Sequence, residues 1–236
     1  SRGFRRTRAT RQVVETLGLT DGRYFARYIM RHHPEWLIDL NVRKLNDWGD
    51  PIQAPSWALG TPRPFSPTSL RYLAHALWMK HEGFVVSGGL IAEIGVGFGG
   101  LAAMNSLVSH ARTVLIDLPD VERTASLMME QNDLSSHLVS RDELTEEFSL
   151  VSNYAFTELS KPLQNSYFGE TLIHAKRGVI VSNAAIFAKK IGGRSNEDLV
   201  AWFRDAGLDA RVWSNCPILC PSDIQLDNKV ITWTTR

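Results

Sequence analysis

Residues 90–100 read LIAEIGVGFGG, five residues of strand character that run straight into glycines where a helix should open. A short apolar run that stops at glycine is the signature of a buried strand. Gly95, Gly97, Gly99 and Gly100 strip side chains from a place where the backbone turns sharply and approaches a ligand. The helix that follows presents amide groups with no partner inside it, which suits an anionic or polar group. The next apolar run, TVLID, ends on Asp117. An acid about 20 residues beyond such a turn sits at the lip of the sheet and accepts hydrogen bonds from both hydroxyls of a ribose. The ligand described by this pattern is an adenine nucleoside derivative, and the fold is α/β.

The rest of the chain agrees with that class. Short apolar runs alternate with amphipathic segments, as in parallel strands joined by crossover helices. Strands are predicted at 90–94, 113–117, 136–140, 148–153 and 178–183, with helices near 99–109, 120–131, 160–175 and 195–206. DARVWSN and KVITWTT, near the C-terminus, are joined by a Pro-containing loop instead of a helix, so this last pair is predicted to be antiparallel. Ahead of the glycine strand, residues 10–45 read as helical and 46–67 as an ordered irregular linker rich in Pro, Gly and Trp. SPTSLRYLAHALWMKHEG then forms a helix capped by Ser66, with Pro67 at its first position and Gly83 after its end. Arg71, His75 and Trp78 share one face of it and Leu70, Leu73 and Leu77 another. The expected organisation is an N-terminal helical extension or lid over residues 1–83 and a ligand-binding domain over 84–236.

Composition narrows the function classes. With 236 residues, 44% apolar and 22% charged, the chain is an ordinary globular protein with one main core. The net charge of +1 gives no general attraction to nucleic acid or to a membrane surface. Arg2, Arg5, Arg6, Arg8 and Arg11 make a local exception, read here as a solvated, poorly ordered tail. Two cysteines, Cys216 and Cys220, make neither a disulfide framework nor a zinc site by themselves, and they fit a reducing cytoplasm. The mostly apolar stretch 83–104 is long enough to span a bilayer, but its many glycines and Glu93 argue against that.

Two adenosyl ligands compete for the turn. Gly95, Gly97 and Gly100 satisfy G-x-G-x-x-G, so a nicotinamide-dependent oxidoreductase is allowed. S-adenosylmethionine is favoured by Glu93, an acid just before the first glycine, which suits a ligand carrying an ammonium and a sulfonium. It is favoured also by the long helical lobe before the turn and by the reversed strand pair at the end.

The motifs FSPTSLRY (65–72), AEIGVGFGGLA (92–102), LIDLPDV (115–121), SNYAFTELS (152–160) and KRGVIVSN (176–183), in this order, resemble the sugar O-methyltransferases among S-adenosylmethionine-dependent class I enzymes. The resemblance covers residues 46–236. It implies a Rossmann-like methyltransferase fold, with a mostly parallel seven-stranded sheet and a reversed C-terminal strand. It further implies that Glu93, Gly95, Gly97 and Gly99 line the methionine end of the cofactor and that Asp117, with Leu118 beside it, holds the ribose. Ser140 and Asp142 are adenine candidates by position, and Asn153 a further cofactor contact. Arg71, Tyr72 and Tyr154 are the expected substrate contacts. Many relatives carry an Asp where this chain has Ser149, so no carboxylate-held metal is expected.

A sugar hydroxyl needs a base within hydrogen-bond reach. Glu158, just after the fourth predicted strand, is the first choice and His75 the second; capping or orienting the following helix is the structural alternative for Glu158. The expected reaction is methyl transfer to a hydroxyl of a sugar or glycoside, giving S-adenosylhomocysteine, with a small-molecule or saccharide acceptor and a homodimer left open. A methyltransferase-like binding module without turnover is the remaining alternative, and a nucleic-acid methyltransferase using the arginine tail a minor one.

Overall fold

A computed structural model describes residues 3–145 and 147–235. The glycine strand is β1 (Leu90–Ile94), and it is buried along its whole length. It pairs in parallel with β2 (Arg112–Ile116) on one side and with β3 (Phe148–Asn153) on the other. Beyond β3 lie β4 (Arg177–Ser182), β6 (Lys229–Thr235) and β5 (Leu208–Trp213), so the order is β2-β1-β3-β4-β6-β5. β6 runs antiparallel to both of its neighbours. The chain leaves β1 towards β2 and returns to β3, which makes the carboxyl ends of β1 and β3 the switch point where ligands of such sheets bind.

Alternation along the strands feeds two cores. Ile91, Val151 and Val179 point into one, which also takes α5 (Pro67–His81), α6 (Gly100–Ser109), α2 (Leu19–His32) and α3 (Leu40–Asp47). Leu90, Ala92, Leu150 and Ile180 point into the other, covered by α8 (Lys161–Glu170) and α10 (Asn196–Asp205). Thus the first core joins the N-terminal helices and one face of the sheet. Ser66 caps α5 as predicted, accepting a hydrogen bond from the Ser69 amide at 3.4 Å, with Pro67 at the first helical position.

Several expectations need correction. The sheet has six strands among the described residues, not seven. Residues 136–140 form no strand: Ser135–His137 is one turn of 3-10 helix, and only a single parallel bridge joins Leu138 to Thr113. With two exposed serines and only Leu138 and Val139 apolar, this segment has too little to bury at a sheet edge. The predicted helix 160–175 stops at Glu170 and restarts as a 3-10 turn, Leu172–His174. The helical reading of 10–45 is broken: α1 (Arg8–Val13) stops at Val13, and Gly18 caps the start of α2. Two helices were missed, α9 (Ala184–Ile191) and the five-residue α11 (Pro221–Gln225) in the Pro-containing loop; a four-residue turn, α4 (Ser56–Leu59), interrupts the linker, and α7 (Pro119–Gln131) follows β2 as expected.

The arginine tail is the largest departure. Arg2 lies outside the described residues, but Arg5 is fully buried. It pairs with Glu15, donates to the carbonyls of Asn46 and Trp48 at 3.2 and 3.1 Å, and donates to Ser66 Oγ and Ser69 Oγ, each at 3.2 Å. Its guanidinium also lies 4.6 Å from the Phe98 ring centroid. A charge count along the sequence treats the arginines alike; the fold buries one and leaves Arg6 in an exposed pair with Asp50.

Candidate active site

At the carboxyl ends of β1 and β3 lies an open cavity of about 660 Å³. Its floor is the glycine turn. Gly95 has φ of 79°, and a Cβ there would collide with the Cβ of Ala155, so the turn and the segment after β3 approach to backbone contact. Gly97 has φ of 55° and nothing within 4 Å of where its Cβ would stand, which leaves backbone facing open space beside the start of α6. Gly99 does not line the cavity; it caps α6 and lets that helix pass close to Ala125 of α7.

Glu93 reaches the same cavity from the end of β1. Its side chain is buried, Oε2 has no hydrogen-bond partner, and burial, reinforced by the charge of Asp117, pushes its carboxyl up to about 8. A buried acid with a vacant oxygen is a place for a cation. Asp117 lines the cavity from the end of β2, with Oδ1 accepting the Leu118 amide at 2.8 Å. Leu118 itself is 70% exposed and does not line it. Ser140 and Asp142, placed in and beside a 3-10 turn that replaces the expected strand end, also lie outside the cavity wall.

The opposite wall comes from α5 and the end of β3, braced from behind by α11. Tyr154 holds φ 69° and ψ −42°, a strained conformation for a non-glycine residue. Two bonds hold it there. Its amide donates to the Val181 carbonyl at 2.7 Å, and its hydroxyl donates to Asp223 Oδ1 at 2.8 Å. Asp223 also accepts from Asn228 Nδ2 at 2.8 Å, and from the amide and thiol of Cys220, each at 3.0 Å. Burial opposes its charge, but these hydrogen bonds outweigh it and hold the carboxyl below its ordinary value. The Tyr154 phenol is pushed well up, first by burial.

His75 is not a base facing the cavity. It is fully buried and both ring nitrogens are engaged. The Ile218 carbonyl, 3.1 Å from Nε2, only accepts, so Nε2 carries the proton and Nδ1 accepts from Asn153 Nδ2 at 3.1 Å. Burial, and then the charge of Arg71, lowers its pKa to about 4, so the ring is neutral at ordinary pH. Its effect is to fix the amide of Asn153, which does line the cavity. Glu158 lines it too, from a 3-10 turn (Ala155–Glu158), with Oε1 accepting from Asn183 Nδ2 at 2.6 Å. That bond orients the carboxylate and leaves its other oxygen available.

The roof comes from the segment expected to be a solvated tail. Phe4, Ala9, Thr10, Val13 and Val14 close the cavity from the N-terminal strap that Arg5 anchors, and Val13 is 78% exposed. Phe98 stacks at 6.0 Å on Trp48 and meets Phe4 edge-on at the same separation. A phenylalanine inside a run of arginines was the one available signal, since an apolar ring in a solvated tail has nothing to pack on. Asp223 gave no signal: only folding brings α11 to the end of β3.

Of the predicted site residues, Arg71, Tyr72, Glu93, Gly95, Gly97, Asp117, Asn153, Tyr154 and Glu158 meet at this cavity. His75, Gly99, Leu118, Ser140 and Asp142 do not line it.

No family model matches the chain, and no curated protein sequence does. Solved structures match its fold. An O-methyltransferase family protein from Burkholderia thailandensis superposes with a TM-score of 0.50 at 12% identity, over 71% of this chain and 60% of that one. The chain therefore spans less than two thirds of that relative. Geranyl diphosphate methyltransferase in complex with S-adenosylmethionine gives 0.50 at 14% identity, over 70% of this chain and 85% of that one. Geranyl diphosphate C-methyltransferase from Streptomyces coelicolor A3(2), bound to Mg2+, geranyl diphosphate and S-adenosylhomocysteine, gives 0.50 at 13% identity, over 69% and 78%. At these identities the likeness establishes the Rossmann-like methyltransferase fold of the chain.

Proposed function

We propose that this protein is an S-adenosylmethionine-dependent O-methyltransferase whose acceptor is a hydroxyl of a sugar or glycoside. The observation that carries the reading is Glu93: a buried carboxylate with a vacant oxygen, beneath a glycine turn and across from Asp117, in one cavity at the switch point of a methyltransferase-type sheet. The residues fit the cofactor. Glu93 would hold the cationic amino-acid end, the bare backbone at Gly97 would face the bound molecule, and Asp117 would hold the ribose. A dinucleotide is disfavoured because its pyrophosphate brings no cation to pair with Glu93, whereas an ammonium does.

When bound, the cofactor supplies a methyl group activated by a sulfonium. The chain's own contribution is alignment and proton removal. Holding an acceptor in line is worth on the order of 7 to 11 kcal/mol in favourable cases. Asn153, fixed by His75, and Tyr154, fixed by Asp223, form a rigid wall for that purpose. Glu158 would take the proton of the attacking hydroxyl, and the bound cofactor would supply the methyl group and depart as a neutral thioether. Residues 1–83 act as the lid and 84–236 as the cofactor domain. The free, buried thiols of Cys216 and Cys220 agree with a cytoplasmic setting; burial raises Cys216 to about 12 and so keeps it unreactive. Among the described residues no helix is long and apolar enough to cross a membrane.

Transfer of a labelled methyl from S-adenosylmethionine to a panel of monosaccharides and glycosides tests the reading. Label in a methyl ether product is expected. Binding of the cofactor with no methylation of any hydroxyl acceptor would sink the O-methyltransferase assignment.

A further inference from the structure

Among the described residues no carboxylate pairs directly with Arg71, and Asp223 acts on it only through its charge. Arg71 sits on α5 with 6% of its surface exposed and lines the cavity. Its guanidinium carbon lies 5.2 Å from the Tyr72 ring centroid and 5.5 Å from that of Tyr154. One nitrogen, Nη2, donates weakly to the Val14 carbonyl at 3.4 Å, and Nε has no partner. Asp223 is the nearby acid, but its oxygens are occupied by Tyr154, Cys220 and Asn228. Aromatic faces and a hydrogen bond with the Tyr72 side chain offset part of the cost of burying the guanidinium, and the long bond to Val14 adds little, so donor capacity is left over at Nε. A planar fork of donors at a cavity wall is matched by a carboxylate, which accepts two parallel hydrogen bonds.

The same cavity holds the opposite deficiency. Among the described residues Glu93 Oε2 lacks a donor just as Arg71 Nε lacks an acceptor. We propose that Arg71 is the receptor for a carboxylate carried by the small molecule bound in this cavity. Two sources share that chemistry: the methionine portion of the cofactor, whose ammonium would then face Glu93, and an acidic group on the acceptor. The first rests on the methyltransferase reading; the second makes the acceptor a sugar acid.

Calorimetric titration of the full chain separates them. S-adenosylhomocysteine is compared with its decarboxylated analogue, which keeps adenosine, thioether and ammonium; D-glucuronate is compared with D-glucose, on free and on nucleoside-saturated protein. If the cofactor supplies the carboxylate, the wild-type protein binds the decarboxylated analogue roughly tenfold or more weakly, and Arg71→Met abolishes that difference while Arg71→Lys keeps part of it. If the acceptor supplies it, the two nucleosides bind alike and glucuronate binds in preference to glucose, a preference that Arg71→Met removes. The comparison between ligands needs no substitution, so it holds even where a variant fails to fold. Equal binding of both nucleosides with no preference for glucuronate overturns the receptor and leaves the donor reading intact. Absence of nucleoside binding, with glucuronate still bound through Arg71, overturns the donor reading and leaves the receptor. No binding in either comparison overturns both.

Discussion

The two walls of the cavity are built in different ways. The wall at the ends of β1 and β2 is mostly backbone: a glycine turn, the start of a helix, and two acids within the span 93–117. The facing wall is a network of side chains gathered from α5, the end of β3 and the N-terminal strap, with Asp223 of α11 bracing Tyr154 from behind, so that residues spread over more than half of the sequence are brought together. The first wall is specified locally, and the second exists only after folding.

The comparison breaks first at its tightest point. Gly95→Val puts a branched side chain at φ 79° and into Ala155. It is expected to yield no cooperatively folded protein in urea titration; a stable variant would show that the backbone wall is not as close as described. Arg5→Ala tests how firmly the strap joins the second wall. It leaves the Glu15 carboxylate without its partner, at a cost of about 3 to 5 kcal/mol, and should expose residues 6–11 to trypsin. An unchanged melting curve would detach the strap from the account.

A third expectation concerns charge. Glu93 has its folded value near 8 against an ordinary 4.5, so between these values the folded chain holds the proton more tightly than the unfolded one. Stability of the ligand-free protein therefore falls as pH rises from about 4.5 to about 8, and levels off above. Glu93→Gln should remove this component, so that wild type minus variant Tm declines across that window; a flat difference would mean that Glu93 is not held protonated. Asp117→Ala should weaken S-adenosylhomocysteine by about 1 to 3 kcal/mol, through loss of charge-assisted bonds to the ribose. Last, Glu158→Gln should leave stability and nucleoside affinity unchanged while lowering turnover. Equal turnover would return Glu158 to orienting Asn183.

What was legible in the sequence follows the same division. β1, the turn, Asp117 and the antiparallel β6 were readable because each rests on a local pattern: an apolar run, glycine spacing, an acid at a strand end. The strand expected at 136–140 failed because two apolar residues in a polar segment look alike in a strand and in a turn, and only the lack of a partner at the sheet edge decides. Helix spacing puts His75 on one face with Arg71 and Trp78 and makes it a second-choice base; spacing fixes a face, not what packs on it, and here the Ile218 carbonyl does. Arg5 shows the converse, since neither its burial nor its partners 41 to 64 residues away leaves a trace in composition.

The central claim is that the backbone wall and its two acids receive an adenosyl donor with a cationic amino-acid end. Titration calorimetry with S-adenosylhomocysteine between pH 6 and 9 tests it directly. The account predicts saturable binding at one site per chain, with proton release below about pH 8 as Glu93 ionises against the ligand's ammonium. Absence of binding, or competition by a nicotinamide dinucleotide at the same site, would contradict it.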